Sequence, residues 1–145
     1  MEEPANDAQP MRHPRPGLYA IGEVAEMTGI SAFTLRYYDK CGFFPELFRG
    51  RNNVRSFSDH DIAWLRLIDA LRKSGLSIEG IQYFVRISQQ GDASLQEQYK
   101  IIEDQEKVLD YQIAEAEESL RVLQAEKLQR RTALADAATE NGKDR

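Results

Sequence analysis

Residues 19–45 read YAIGEVAEMTGISAFTLRYYDKCGFFP, and this stretch decides the fold. Apolar residues within 21–28 fall at helical spacing, and Gly29 after them is a typical helix end. Ser31 is a good N-cap for a second helix over residues 32–40. Two short helices joined by a few residues that include a glycine predict a helix-turn-helix.

The next segment, residues 47–57, is polar in its middle and more β-prone toward its end. Its Gly and Asn residues tolerate positive φ, so a hairpin or wing is predicted. Arg49, Arg51 and Arg55 cluster there, although the whole chain carries a net charge of −5. A local basic patch, rather than the overall charge, decides whether a surface can meet phosphate.

Two further helices are predicted after the wing. Ser58 with Asp61 three residues later forms a carboxylate variant of the capping box, and apolar residues at helical spacing follow it. Gly75 ends this helix, Ser77 begins another, and Gly91 closes the latter.

The last part of the chain is predicted to form one long helix. Ser94 to Glu97 has the S-x-x-E pattern of a capping box, and no Gly or Pro follows until Gly142. Two positions in each seven-residue repeat form a seam in which nine of twelve residues are apolar, which is typical of a coiled coil. The seam residues that we assign to a dimer interface are Leu95, Ile102, Leu109, Ile113, Ala116, Leu120, Leu123 and Leu134.

This long helix requires a partner. About 41 residues make a helix roughly 60 Å long, which cannot bury its seam on a head of about 70 residues. The simplest partner is a second copy of the chain, so a homodimer is predicted.

Composition excludes several classes of protein. The chain has 145 residues, 41% of them hydrophobic and 30% charged, which suits a water-soluble domain. Its apolar runs are too short to span a bilayer, and its N-terminus lacks the apolar stretch of a secretory signal. We therefore expect a cytoplasmic protein with no membrane partner. Residues 1–17 contain four of the five prolines and are predicted to be a disordered tail.

The residues that carry chemistry are few. A single cysteine, Cys41, excludes an intrachain disulfide framework, and the two histidines, His13 and His60, lie far apart in sequence. No acid–base constellation is present. We expect no catalytic residues, no metal site and no cofactor.

Four short motifs, taken together, resemble those of the MerR family of bacterial transcription regulators. They are YAIGEVA at 19–25, TLRYYD at 34–39, GFFP at 42–45 and GLSI at 75–78. With the arginine wing and the terminal coiled coil, the resemblance extends over about residues 19–134.

The resemblance implies a mainly α-helical protein with two domains. A winged helix-turn-helix DNA-binding head would span residues 18–91, and a dimerisation helix that forms an antiparallel coiled coil would span residues 92–135. Residues 136–145 would be a flexible tail. The homodimer would bind a pseudo-palindromic promoter site on double-stranded DNA. It would distort that DNA so that RNA polymerase engages, and it would therefore be associated with the nucleoid.

The resemblance also makes the second helix the recognition helix. Its Phe33, Leu35 and Tyr38 are expected to pack on the first and third helices. The residues expected to contact DNA are Tyr19, Ser31, Thr34, Arg36, Tyr37, Arg49, Arg51, Arg55, Arg72 and Lys73.

The chain resembles the branch of the family that responds to aldehydes and electrophiles at Phe57, Trp64, Gly91-Asp92 and Gln105. The reactive cysteine of that branch is absent, because Ala70 occupies its position. Cys41 is predicted to be a small core residue, and a sensing role for this thiol is the alternative. Trp64 is predicted to lie in or at the core.

The sequence also fits an alternative function. A coiled-coil architectural or interaction protein that binds DNA without regulating a promoter would share the basic wing and the long helix.

Overall fold

The structure is a computed structural model that describes residues 17–143, so the predicted tail lies outside the described residues except for Gly17. The chain divides into two compact units, one ending at Gln105 and one beginning at Glu106. The elements in chain order are β1 (Leu18–Ala20), α1 (Ile21–Thr28), α2 (Ala32–Lys40), β2 (Phe48–Arg49), β3 (Arg55–Ser58), α3 (Asp59–Lys73), α4 (Ile78–Ser88) and α5 (Leu95–Lys143).

The predicted helix-turn-helix is confirmed. Helix α1 ends at Gly29, whose φ of 74° is the left-handed conformation that glycine adopts without strain. Ser31 caps α2, because its Oγ accepts a hydrogen bond from the backbone N–H of Thr34 at 3.1 Å. Helices α1 and α2 pack against each other.

The predicted wing is also confirmed, as part of a three-stranded antiparallel sheet with the order β1–β3–β2. Arg49 of β2 lies opposite Arg55 of β3. The turn between these strands contains Asn52 and Asn53 with φ of 58° and 60°, a conformation that asparagine tolerates. The sequence did not predict β1, because three residues are too few to show an alternating pattern.

One hydrophobic core holds the head together. It takes side chains from α1, α2, α3, α4, β3 and the loop after α2. The capping box that begins α3 forms as predicted: the Ser58 Oγ accepts from the Asp61 N–H at 3.1 Å, and the Asp61 Oδ2 accepts from the Ser58 N–H at 3.0 Å. The largest fully buried apolar side chains are Val24, Leu35, Phe43, Phe57, Leu65, Ile68, Ile81 and Phe84.

The prediction that Phe33 packs on the neighbouring helices is wrong. Its side chain is 80% exposed, whereas Leu35 and Tyr38 of the same helix are buried. Residues two apart on a helix point to nearly opposite sides, so the burial of Leu35 turns Phe33 outward.

The capping box predicted at Ser94 and Glu97 does not form. The Ser94 Oγ donates instead to the carbonyl oxygens of Ile87 and Gly91, and the Glu97 carboxylate accepts from the Tyr83 hydroxyl. A 3-10 turn leads directly into α5, and its Asp92 carbonyl oxygen accepts from the Leu95 N–H, so a backbone acceptor takes the place of a side-chain cap at the start of the helix.

Within the second unit, the chain from Glu106 to Lys143 is helical. Every residue over 110–142 is exposed within the single chain, including the predicted seam residues of that range. The helix continues through residues 136–143, where a flexible tail was expected. The run of alanines over 133–138 favours this continuation, because alanine has the highest helix propensity. Among the described helices, none is long and apolar enough to cross a membrane.

Candidate nucleic-acid interface

The outward face of α2 presents three side chains of different chemistry. Phe33, Arg36 and Tyr37 stand at i, i+3 and i+4, so they share one side of the helix. Phe33 is 80% exposed and Tyr37 is 43% exposed. The solvent-exposed face of α2 therefore carries a phenyl ring, a guanidinium and a phenol. Leu35 and Tyr38, on the opposite side of the helix, are buried in the core.

Ser31 and Thr34, both expected to contact DNA, bond to each other. Besides accepting from the Thr34 N–H, the Ser31 hydroxyl donates to the Thr34 Oγ1 at 3.0 Å. The Ser31 proton is thus used within the helix cap, and the Thr34 hydroxyl keeps its own proton to donate outward. The geometry favours a direct contact for Thr34 over one for Ser31, and both contacts remain predictions.

Tyr38 anchors α2 to α3. Its hydroxyl donates to the Asp69 Oδ1 at 3.0 Å, and the Asp69 Oδ2 lies 2.8 Å from the Lys73 Nζ. Burial and the Asp69 carboxylate raise the pKa of Tyr38 to about 12. Lys73, an expected DNA contact, is therefore already part of an ion pair within the head.

This anchor gives a pH-dependent prediction. A hydroxyl whose pKa is raised by folding stabilises the native state below the ordinary tyrosine pKa, and this contribution is lost as the pH rises from about 10 to about 12. In urea titrations across this range, Tyr38→Phe should show a smaller fall in the free energy of unfolding than the wild type. Tyr111→Phe, at an exposed position, is the matched control. Identical pH slopes for Tyr38→Phe and the wild type would contradict the anchor.

The three wing arginines differ in their surroundings. Arg49 and Arg55 both form ion pairs with Asp39 of α2, and the distance from the Arg55 Nε to the Asp39 Oδ2 is 2.5 Å. Burial raises the pKa of the Asp39 carboxyl, but the two guanidinium groups outweigh that effect and hold it below its usual range. The Arg51 side chain, in the turn, is exposed and makes none of the side-chain hydrogen bonds or ion pairs found among the described residues. Sequence analysis missed Asp39, although helical spacing places it on the buried side with Leu35.

The remaining expected contacts lie around this face. Tyr19 is half-buried, and a hydrogen bond with Asp59 raises its pKa. Arg72 is exposed beyond the anchor. A hydrogen bond with Cys41 raises the pKa of Tyr37, while the charge of Arg72 acts in the opposite direction.

Trp64 and Cys41 belong with the core, as predicted. The Trp64 Nε1 donates to the Phe43 carbonyl oxygen at 2.7 Å, and its ring stacks on Phe84. Cys41 is half-buried and packs against the core. Ala70 is exposed on α3. The part of the chain that the structure describes holds no cluster of His, Cys, Asp and Glu suited to a metal ion.

Comparison with known proteins identifies the family. Residues 19–86 match the model described as "MerR HTH family regulatory protein". An uncharacterized HTH-type transcriptional regulator from Haemophilus influenzae is 38% identical over 106 residues, which cover 73% of this chain and 78% of that protein.

Two solved structures are also similar. HiNmlR, a MerR family regulator described as lacking the sensor domain and solved bound to promoter DNA, is 38% identical with a TM-score of 0.66. The match covers 71% of this chain and 78% of HiNmlR. A MerR family transcriptional regulator from Bacillus thuringiensis is 31% identical with a TM-score of 0.71, over 77% of this chain and 98% of that one. The chain therefore belongs to the MerR family of helix-turn-helix transcriptional regulators.

Proposed function

We propose that this regulator binds promoter DNA as a homodimer and places one α2 helix of each protomer in successive major grooves of a pseudo-palindromic site. The observation that carries the proposal is the exposed face formed by Phe33, Arg36 and Tyr37 on a helix anchored from behind. The promoter-bound structure of the similar HiNmlR supports it.

The face of α2 has the chemistry to distinguish bases. A guanidinium such as that of Arg36 donates two hydrogen bonds to the O6 and N7 of guanine in the major groove. An exposed ring such as Phe33 packs against the methyl group of thymine, which is the apolar feature of that groove. Thr34 and Tyr37 carry hydroxyl groups for phosphate or base edges.

The apolar stripe of α5 supports a homodimer. Considered within its own unit, the helix exposes Ile113, Leu120, Leu123 and Leu134, whose successive spacings of seven, three and eleven residues place them all on one seam. Such a stripe is buried when a second helix packs along it. A second copy of α5 offers the same stripe, and the family resemblance favours an antiparallel pair.

Promoter distortion and its effect on RNA polymerase complete the proposal. The two recognition helices of a dimer would occupy half-sites about 34 Å, or one helical turn, apart. DNA whose spacing differs must bend or untwist to fit, and the energy of that change depends on its sequence. Polymerase would respond to the altered promoter without a required contact to this protein. A regulator of this kind would act on the nucleoid.

Arg51 is the wing residue best placed for a phosphate contact, because Arg49 and Arg55 are held by Asp39. Arg51→Ala should weaken binding to all DNA sequences to a similar extent and lower the slope of log K against log salt by about one unit per protomer. Fluorescence anisotropy on operator and random duplexes at several salt concentrations measures both quantities. An unchanged salt slope would remove Arg51 from the phosphate contacts.

Sequencing the DNA bound by the protein in cells tests the proposed function. We expect enrichment of an inverted repeat located between promoter elements. Broad coverage without a common motif would instead support the alternative of a DNA-coating architectural protein.

A further inference from the structure

Asp39 has a buried carboxylate that forms ion pairs with arginines from two strands of the wing. Its side chain is only 4% exposed, and its two oxygens are occupied separately, Oδ1 by Arg49 and Oδ2 by Arg55 at 2.5 Å. These arginines lie directly opposite each other on β2 and β3. The Asp39 side chain of α2 therefore bonds to both strands of the hairpin, at two residues that pair with each other across the sheet.

The position of Asp39 has no explanation within α2 itself. It lies in the last turn of the helix, where the macrodipole favours cations and disfavours a carboxylate. Burial of a charge is also costly unless partners compensate it. Only the two wing arginines supply that compensation among the described residues, so the carboxylate serves the junction between helix and wing.

The same geometry limits what Arg49 and Arg55 do on DNA. A phosphate that drew either guanidinium away would leave the Asp39 carboxylate buried with a missing partner, which is strongly unfavourable. Asp39 therefore holds both arginines at the junction, although the Arg49 side chain is itself 36% exposed, whereas the exposed Arg51 side chain has no such carboxylate partner among the described residues.

We infer that Asp39 is a positioning residue for DNA binding: by holding Arg49 and Arg55, it fixes the wing at the angle to α2 at which both meet the operator together. This inference rests on the proposed function and adds to it a residue that does not touch DNA. It assigns the two arginines to the junction, in contrast to the phosphate contacts that the sequence suggested for them.

The Asp39→Asn variant distinguishes positioning from simple electrostatics, because the two predict opposite changes in operator affinity. Removal of a negative charge from a DNA-binding head, with two arginines released, should by charge alone tighten binding and steepen its salt dependence. Positioning instead predicts that operator affinity falls by about tenfold or more, the order of a lost base contact. Glu26→Gln, which removes an exposed carboxylate from α1, is the control for charge and should not weaken binding.

A double-mutant cycle tests whether Arg55 acts through Asp39. If it does, Asp39→Asn combined with Arg55→Gln should lose little more operator affinity than the more severe single variant. If the two losses add in full, Arg55 contacts DNA independently and the inference is wrong. Circular dichroism melts of each variant establish that the head is folded at the temperature of the binding assay.

If Asp39→Asn does not fold, Asp39→Glu takes its place, since it keeps the charge and displaces the carboxylate by one methylene. Weaker operator binding at unchanged net charge supports positioning, and wild-type binding overturns it. Arg36→Ala, measured in parallel, tests the proposed function separately. If Arg36→Ala loses operator affinity while Asp39→Asn gains it, the proposed function stands and the positioning role falls.

Discussion

The double variant Ile113→Glu/Leu120→Glu is expected to be a monomer at concentrations at which the wild type is a dimer. Both side chains are exposed in the single chain and lie on the proposed seam of α5. Full burial of a Leu or Ile is worth about 1.5–3 kcal/mol, and the dimer contains four altered positions. A loss of roughly 6 kcal/mol or more raises the dimer Kd by about four orders of magnitude. Sedimentation velocity measures this change directly.

Val122→Glu is the matched control for the seam. Val122 is 52% exposed and Leu120 is 53% exposed, yet two residues apart on a helix they point to nearly opposite sides. The control should therefore remain a dimer. An intact dimer in Ile113→Glu/Leu120→Glu, or equal dissociation of both proteins, would contradict the assigned seam.

Arg36→Ala is expected to abolish most of the discrimination between operator and random DNA. A bidentate contact to a guanine is worth about 1–3 kcal/mol, and a homodimer makes the contact twice. Operator affinity should fall by roughly 30-fold or more, whereas random DNA should lose only the small effect of one charge per protomer. Competition titrations with both duplexes at one salt concentration measure the two losses.

Arg86→Ala removes the same charge from α4 and serves as the comparison. We expect small and similar losses on operator and random DNA for this variant, because Arg86 lies outside the α2 face. Equal losses on the two duplexes for Arg36→Ala would remove Arg36 from base recognition.

The elements that sequence predicted well are those whose bounds depend on nearby groups. Gly29 and Ser31 set the turn between α1 and α2, and Ser58 with Asp61 begins α3, each through hydrogen bonds that span no more than four residues. Such short-range pairs leave a pattern in the sequence that needs no knowledge of the fold.

Features that depend on distant contacts could not be found in this way. Strand β1 exists because β3 pairs with it from far along the chain. Asp39 matters because two strands bring Arg49 and Arg55 to it, and the local sequence shows only that helical spacing places it on the same side of α2 as Leu35.

Two local patterns were misleading for physical reasons. Phe33 is hydrophobic and was therefore assigned to the core, but the helical period relative to Leu35 directs it to water. Ser94 and Glu97 have the spacing of a capping box, yet the preceding 3-10 turn already satisfies the start of α5 and both side chains bond elsewhere.

A hydroxyl-radical footprint on DNA recovered from cells tests the central claim most directly. The account predicts two symmetric protected patches, separated by one helical turn of about 34 Å or a multiple of it, within a promoter. Arg36→Ala should lose both patches together at a concentration that saturates the wild type. Continuous protection without symmetry, or a single patch that persists in Arg36→Ala, would contradict a dimeric regulator that recognises its operator through α2.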